Sequence, residues 1–431
     1  MSLITRIHAR EILDSRGKPT VEAEVHAGGG VIGRASVPSG ASTGSAEAHE
    51  LRDGDDARYD GQGALQAVHH IDKIIGPQLA GQSVAEQARL DERMIELDGT
   101  PNKSRLGANA ILAVSLACAR AAAMAKGVPL YRHLQCLLVD EAADSSEAAS
   151  QAGNLFPVRL PLPMTNMISG GKHAGGNLDI QDVLVTPVGA PDYRTGLEWI
   201  VRVYRRLGKL LRDAGHEGYL VGDEGGYGPR LKTNREALSL VVRAIEAAGL
   251  APGEQMMLTL DIASSHFYRQ GSYHLAADEN RGLSSSQMID LLQQWADRFP
   301  IASIEDGLAE EDWDGWRGLT QRLGDRVKLV GDDLFATNLV RLEKGIEVKA
   351  ANAILIKVNQ IGTLTEAFRT MIRARLAGYT LVVSARSGET EDDFLADLAV
   401  ASGAEWIKIG SIARSERLAK YNRLLRIAEE I

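Results

Sequence analysis

The sequence predicts a small N-terminal α+β domain followed by an α/β barrel of the (β/α)8 type. Three observations carry this. Strand-like segments come first and helix-like segments follow them, the order of an α+β unit. Beyond residue 160 short apolar runs recur, each closing on polar or charged residues, with helical patterns in the longer intervals. The charged closing residues lie from 22 residues apart (Arg386 to Lys408) to 44 apart (Asp261 to Glu305), room for a strand, a helix and two loops.

Taken in order, residues 3–37 read as strands: IHAREILDSRG, VEAEVHA, a glycine turn, then VIGRASVP. Residues 60–134 read as helices, with apolar positions at helical spacing in HHIDKIIGPQLAG, VAEQARLDERMIEL and ANAILAVSLACARAAAMA. DEAADSSEAASQAG, at 140–153, is small, acidic and weakly periodic and reads as a connector. The expected division is therefore an N-terminal domain over 1–137, a connector over 138–159 and a barrel over 160–431. The barrel runs end in Glu224, Asp261, Glu305, Asp332, Lys357, Arg386 and Lys408. Barrel enzymes carry their chemistry at such strand ends.

Composition narrows the function class. The chain has 431 residues, 44% hydrophobic and 24% charged, enough to bury a core without covalent staples. Its net charge of −9 carries no global basic footprint for nucleic acid. Two cysteines, Cys118 and Cys136, are too few for a disulfide framework or a four-ligand zinc site. The N-terminus turns polar too early for a signal peptide. The most apolar run, Ala110–Ala119, is broken by Arg120 and Lys126 and falls short of the ~20 residues a membrane span needs. A cytoplasmic location without membrane contact is expected.

Asp261, Glu305 and Asp332 end successive strands and so converge on one mouth. Left alone they repel each other; a hard divalent cation relieves this, and all-oxygen ligation suits Mg²⁺. Lys357 sits in the apolar run AILIKVNQ, and buried lysines need a reason: a structural ion pair, or a general base whose pKa a nearby cation lowers. Arg386, followed by Ser387, has the donor fork for a phosphate or carboxylate. Glu224, in GDEGG, either caps a helix or, beside another carboxylate, keeps its proton and acts as a general acid. Metal, lysine base and carboxylic acid together describe proton abstraction next to a carboxylate. Gly28–Gly33 fits G-x-G-x-x-G, but a strand follows it, so a hairpin turn is expected and no dinucleotide site. His69 and His70 are expected to face solvent.

Across essentially the whole chain these residues resemble the enolase family. The segments that carry the resemblance are PSGASTG (38–44), ELRDGD (50–55), NKSRLGANAILAVSLA (102–117), VGDEGGY (221–227), SIEDG (303–307), VGDDL (330–334), KVNQIG (357–362), RSGETED (386–392) and RLAKYN (417–422). The resemblance implies a capping domain on an enolase-type barrel, and dehydration of 2-phosphoglycerate to phosphoenolpyruvate with two Mg²⁺ ions. It implies a homodimer or a ring of dimers and a small phosphorylated carboxylic acid as partner. By matched position, Asp261, Glu305 and Asp332 would hold one metal and Ser42 would close over the second. Lys357 would be the base, with Glu224 and Asp182 on the acid side. Lys408 would bind the substrate carboxylate, and Arg386 with Ser387 the phosphate. His173 and Gln181 would complete the substrate pocket.

The departures cluster near the chemistry. Asp182 stands where the family has a glutamate, and Ala385 where it has a histidine. Ser169 and Gly176 replace asparagines, and Ile409 replaces a threonine. Two further readings follow. One is a paralogue running the same chemistry on a modified substrate, as in enolase-like proteins that form carboxyphosphonoenolpyruvate. The other is a catalytically weak binding or scaffold protein.

Overall fold

The computed structural model describes residues 2–41, 44–277 and 281–431. Strands β1 (Ile4–Leu13), β2 (Pro19–Ala27) and β3 (Val31–Ser36) pair antiparallel in sequence order. Gly28–Gly30 turns β2 into β3 with Ala27 opposite Val31, so the glycine-rich stretch is a hairpin turn. The helix Ala108–Lys126 lies across this sheet and is buried along most of its length. At Gly33 a Cβ would collide with the backbone of Ala117 and Ala121, so the missing side chain sets how closely helix and strand approach. Among the described residues this is the one helix long and apolar enough to cross a membrane, and burial within the fold makes it a core helix.

The segment assigned to a connector is helical at its start. The helix Leu130–Asp144 runs on through Leu138 and Ala142, both buried, and Ala148 and Ala152 continue the packing.

Among the described residues, eight strands close into a barrel. They are β4 (Leu162–Ser169), β5 (Asp182–Thr186), β6 (Met257–Asp261), β10 (Ile301–Glu305), β11 (Lys328–Gly331), β12 (Ala353–Ile356), β13 (Thr380–Ser384) and β14 (Trp406–Lys408). Between β6 and β10 the chain adds a small antiparallel sheet, β7 (Tyr268–Arg269), β8 (Ser272–Leu275) and β9 (Arg281–Leu283). Met164, Leu184, Val330, Ala353, Leu355 and Val382 fill the barrel interior. The helices outside start at side-chain caps: Asp192, Thr233, Ser284, Asp312, Asn338 and Thr363 each accept a hydrogen bond from the first turn.

The barrel differs from the strict alternating pattern at its start. β5 runs antiparallel to both β4 and β6, so the first two strands form a hairpin and two helices, Tyr193–Asp213 and Asn234–Ala247, follow in succession. The apolar run before Glu224 is not a barrel strand. Gly222 breaks it, Gly225 and Gly226 follow Glu224 directly, and among the described residues it makes only an isolated bridge, Val221 to Tyr227. Glu224 therefore reaches the barrel mouth from a loop.

The N-terminal domain docks on the barrel through buried polar contacts. Asp91 accepts from Thr365 N (3.1 Å) and Oγ1 (2.6 Å), and Lys103 pairs with Glu366 at 2.9 Å. Ser39 and Gly388 exchange backbone hydrogen bonds at 2.8 and 2.9 Å, which pins the loop after β3 over the C-terminal ends of the barrel strands.

Candidate active site

At the strand ends the parallel register brings distant residues together. Asp261 and Glu305 close β6 and β10 as register partners, Asp332 directly follows β11, and Lys357 directly follows β12. Arg386 lies two residues past β13, and Lys408 closes β14. All are buried or nearly so.

Each cation here holds a carboxylate. The Lys408 ammonium lies 2.6 Å from Asp261 Oδ2 and 2.8 Å from both oxygens of Glu305. Lys357 donates to Asp332 Oδ2, and Gln360 Nε2 donates to Oδ1 of the same residue at 2.9 Å. Arg386 is gripped by Glu47 from the N-terminal domain and donates to Asn359 Oδ1 at 3.0 Å. His173 Nδ1 lies 2.8 Å from Asp182 Oδ2, and its Nε2 faces Glu224 Oε1 at 3.8 Å. Ser169 Oγ donates to the other Asp182 oxygen at 2.8 Å, and Asn166 Nδ2 to Glu224 Oε2 at 3.0 Å. Gln181 Nε2 donates to Asp261 Oδ2 at 3.1 Å.

These contacts decide the protonation states. Burial pushes the His173 imidazolium down, but Glu224 and Asp182 outweigh it and lift the ring to about 9. Burial pushes Glu224 up, yet His173, Arg417 and Lys408 hold it at about 2. The expectation that Glu224 keeps a proton is thus reversed: the neighbours that matter are cations. At Lys357 burial pushes downward and so, as expected, do the cations Arg386 and Lys408, but the Asp332 carboxylate raises the ammonium above its usual range. Lys408 is raised well above its usual value because Asp261 and Glu305 overcome its burial. Glu305 itself is pushed far up, by burial first and then by the charge of Asp261.

The donor set suits Mg²⁺. Asp261 and Glu305 converge on one cation-sized position, filled by the Lys408 ammonium, and the crowding of Glu305 by Asp261 is what a divalent ion relieves. Gln181 Oε1 is buried without a partner among the described residues, a further oxygen beside Asp261. Asp332 is paired instead with Lys357. The groups of possible ligand atoms that lie within 4.8 Å of one another are His173, Asp182 and Glu224, and Asp306, Asp332 and Asp333. Asp306 accepts from the backbone N–H groups of Asp332 (3.0 Å) and Asp333 (2.8 Å) and so orients the loop that carries Asp332.

Ser42 lies outside the described residues. Ser387 Oγ accepts from Arg16 at 3.2 Å, and Arg417 donates to the carbonyls of Arg386 and Ser387, both at 2.6 Å, fixing the phosphate-side loop. Ala385 donates its backbone N–H to Lys408 O at 2.8 Å and offers only a methyl to the mouth, and Ile409 is fully buried. Gly176, at φ 75°, sits in a left-handed turn. Glu47, Asn166, Asn359, Gln360 and Asp306 were not singled out by sequence reasoning. Glu47 and Gln360 fall just beyond or within quoted motifs, but only the fold shows that they meet.

Two family models match the chain. The one described as the enolase N-terminal domain covers residues 4–134, and the one described as the enolase C-terminal TIM barrel domain covers residues 157–431.

Proposed function

The chain belongs to the enolase family, and from that premise we propose that it is a Mg²⁺-dependent lyase converting 2-phosphoglycerate to phosphoenolpyruvate and water. The observation that supports this most is the placement of Asp261, Glu305, Asp332 and Lys357 at the ends of four adjacent strands. Asp261, Glu305 and Asp332 would hold the ion. When bound, Mg²⁺ would supply positive charge against the negative charge building on the substrate carboxylate, with Asp332 as a ligand in place of its pairing with Lys357.

Lys357 then takes the proton next to the carboxylate. Arg386 and Ser387 orient the phosphate, and Lys408 binds the carboxylate. On the other side of the mouth, His173 holds a proton between Asp182 and Glu224, and this cluster delivers it to the departing hydroxide. A cytoplasmic, homodimeric or ring-of-dimers enzyme of glycolysis completes the reading.

A second reading is favoured by one observation. Asp182, one methylene shorter than glutamate, is held back by Ser169 and His173, and Ala385 adds no imidazole. A shorter acid and a missing imidazole would make room at the leaving-group side for a modified substrate, as in a carboxyphosphonoenolpyruvate-forming paralogue.

The deciding experiment follows phosphoenolpyruvate formation with added Mg²⁺, with chelator as control, and exchange of the substrate α-proton in heavy water. Metal-dependent turnover that disappears in Lys357→Ala is expected. Exchange without turnover would transfer the protein to the second reading, and exchange surviving in Lys357→Ala would remove Lys357 as the base.

A further inference from the structure

The Arg386 guanidinium, to which the proposed function gives the substrate phosphate, already carries an anion. Glu47 grips it with both oxygens, Oε2 at 3.0 Å from Nη1 and Oε1 at 3.2 Å from Nη2. This two-point fork is the geometry in which arginine takes carboxylates and phosphates alike. The side chains are 3% and 7% exposed, so water screens the pair little. Glu47 Oε1 also accepts from Gly44 N at 3.0 Å and from Gln360 Nε2 at 3.4 Å. Gln360 in turn donates to Asp332, the carboxylate paired with Lys357. One acid from the N-terminal domain thus sits on the anion-binding arm and touches the network of the base.

We propose that Glu47 is an internal counter-anion: it competes with the ligand for Arg386 and thereby sets how tightly the site holds an anionic group. An arriving phosphate must displace Glu47 or share the guanidinium with it. Either way the Glu47–Arg386 attraction is subtracted from the ligand's own. When product leaves, Glu47 returns to the guanidinium, which speeds release. Glu47 is a positioning residue in this account, since it acts through Arg386. The inference rests on the enolase reading only for the identity of the ligand. A purely orienting role for Glu47 makes the opposite forecast, because an arginine that loses its support binds anions less well.

Inorganic phosphate is the probe, titrated calorimetrically into the full chain. Glu47→Gln is expected to bind it about tenfold more tightly than the unaltered protein. Glu47→Asp keeps the charge but falls one methylene short of the two-point grip, and its affinity should lie between the two. Arg386→Gln should abolish the binding and so locate it. With 2-phosphoglycerate, Glu47→Gln should lower KM and kcat together, as expected when ground-state binding tightens and release slows. Unchanged or weaker phosphate binding in a folded Glu47→Gln protein overturns the proposal. Should that variant not fold, the direction of change in Glu47→Asp decides in the same way. Phosphate binding that follows this pattern without any turnover would sink the enolase reading alone. Turnover with phosphate affinity indifferent to Glu47 would sink only the counter-anion.

Discussion

His173 shows how far a single residue departs from its ordinary chemistry here. Its ring is raised from 6.5 to about 9 despite burial, because carboxylates stand on both sides. A group whose folded pKa is raised stabilises the fold while protonated. That contribution is complete below pH 6.5 and is lost as the pH climbs through about 9. In metal-free protein, urea unfolding should therefore show stability falling by about 3 kcal/mol across that window. His173→Gln should remove most of the slope; an equal slope in the variant would mean that another group carries it. Lys357 and the metal-facing acids stand out in the sequence because each interrupts or ends an apolar run, whereas Asp182 is picked out only by the resemblance. Their ionisation was not legible there. Glu224 was expected to keep a proton and is held ionised, because His173 and Arg417, far from it in sequence, lie close in the fold.

Among elements, those with a strong local signal were read correctly and those set by pairing were not. The hairpin around Gly28–Gly30 and the long helices follow from turn chemistry and apolar spacing. The reversed β5 carried no such mark: five buried residues, Asp182–Thr186, look alike in either direction, and only their partners β4 and β6 decide it. The stretch ending at Glu224 misled for the related reason that a short apolar run without a partner is not a strand. Gly33 offers a test of element packing. Because the helix Ala108–Lys126 rests directly on it, Gly33→Ala should destabilise the fold by roughly 1–3 kcal/mol, the range for overpacking. A thermal or urea midpoint unchanged by the added methyl would show that helix and sheet can separate freely.

For the molecule as a whole, the carboxylates at the mouth (Glu47, Asp182, Glu224, Asp261, Glu305 and Asp332) outnumber the cations that face them. Saturating Mg²⁺ should therefore raise the melting midpoint of chelator-treated protein by at least about 3 °C, through binding to the folded state alone. Asp261→Asn should blunt that response, and an unresponsive parent protein would show that these acids do not take the ion. Which acid meets which cation was beyond the sequence, since several of the partners lie far apart along the chain. Glu47 and Arg386 are 339 residues apart, and Glu389 N donates to Ser15 Oγ across 374. A ribosome making this protein completes the N-terminal sheet and its covering helix long before the strands that carry Arg386 and Lys408. Until those segments emerge, Glu47 has no guanidinium to hold, and Asp261 and Glu305 have no ammonium between them. Assembly of the mouth is therefore a late event in the life of each new chain, and a polypeptide interrupted before residue 386 would keep most of its fold-forming segments while lacking the anion-binding arm.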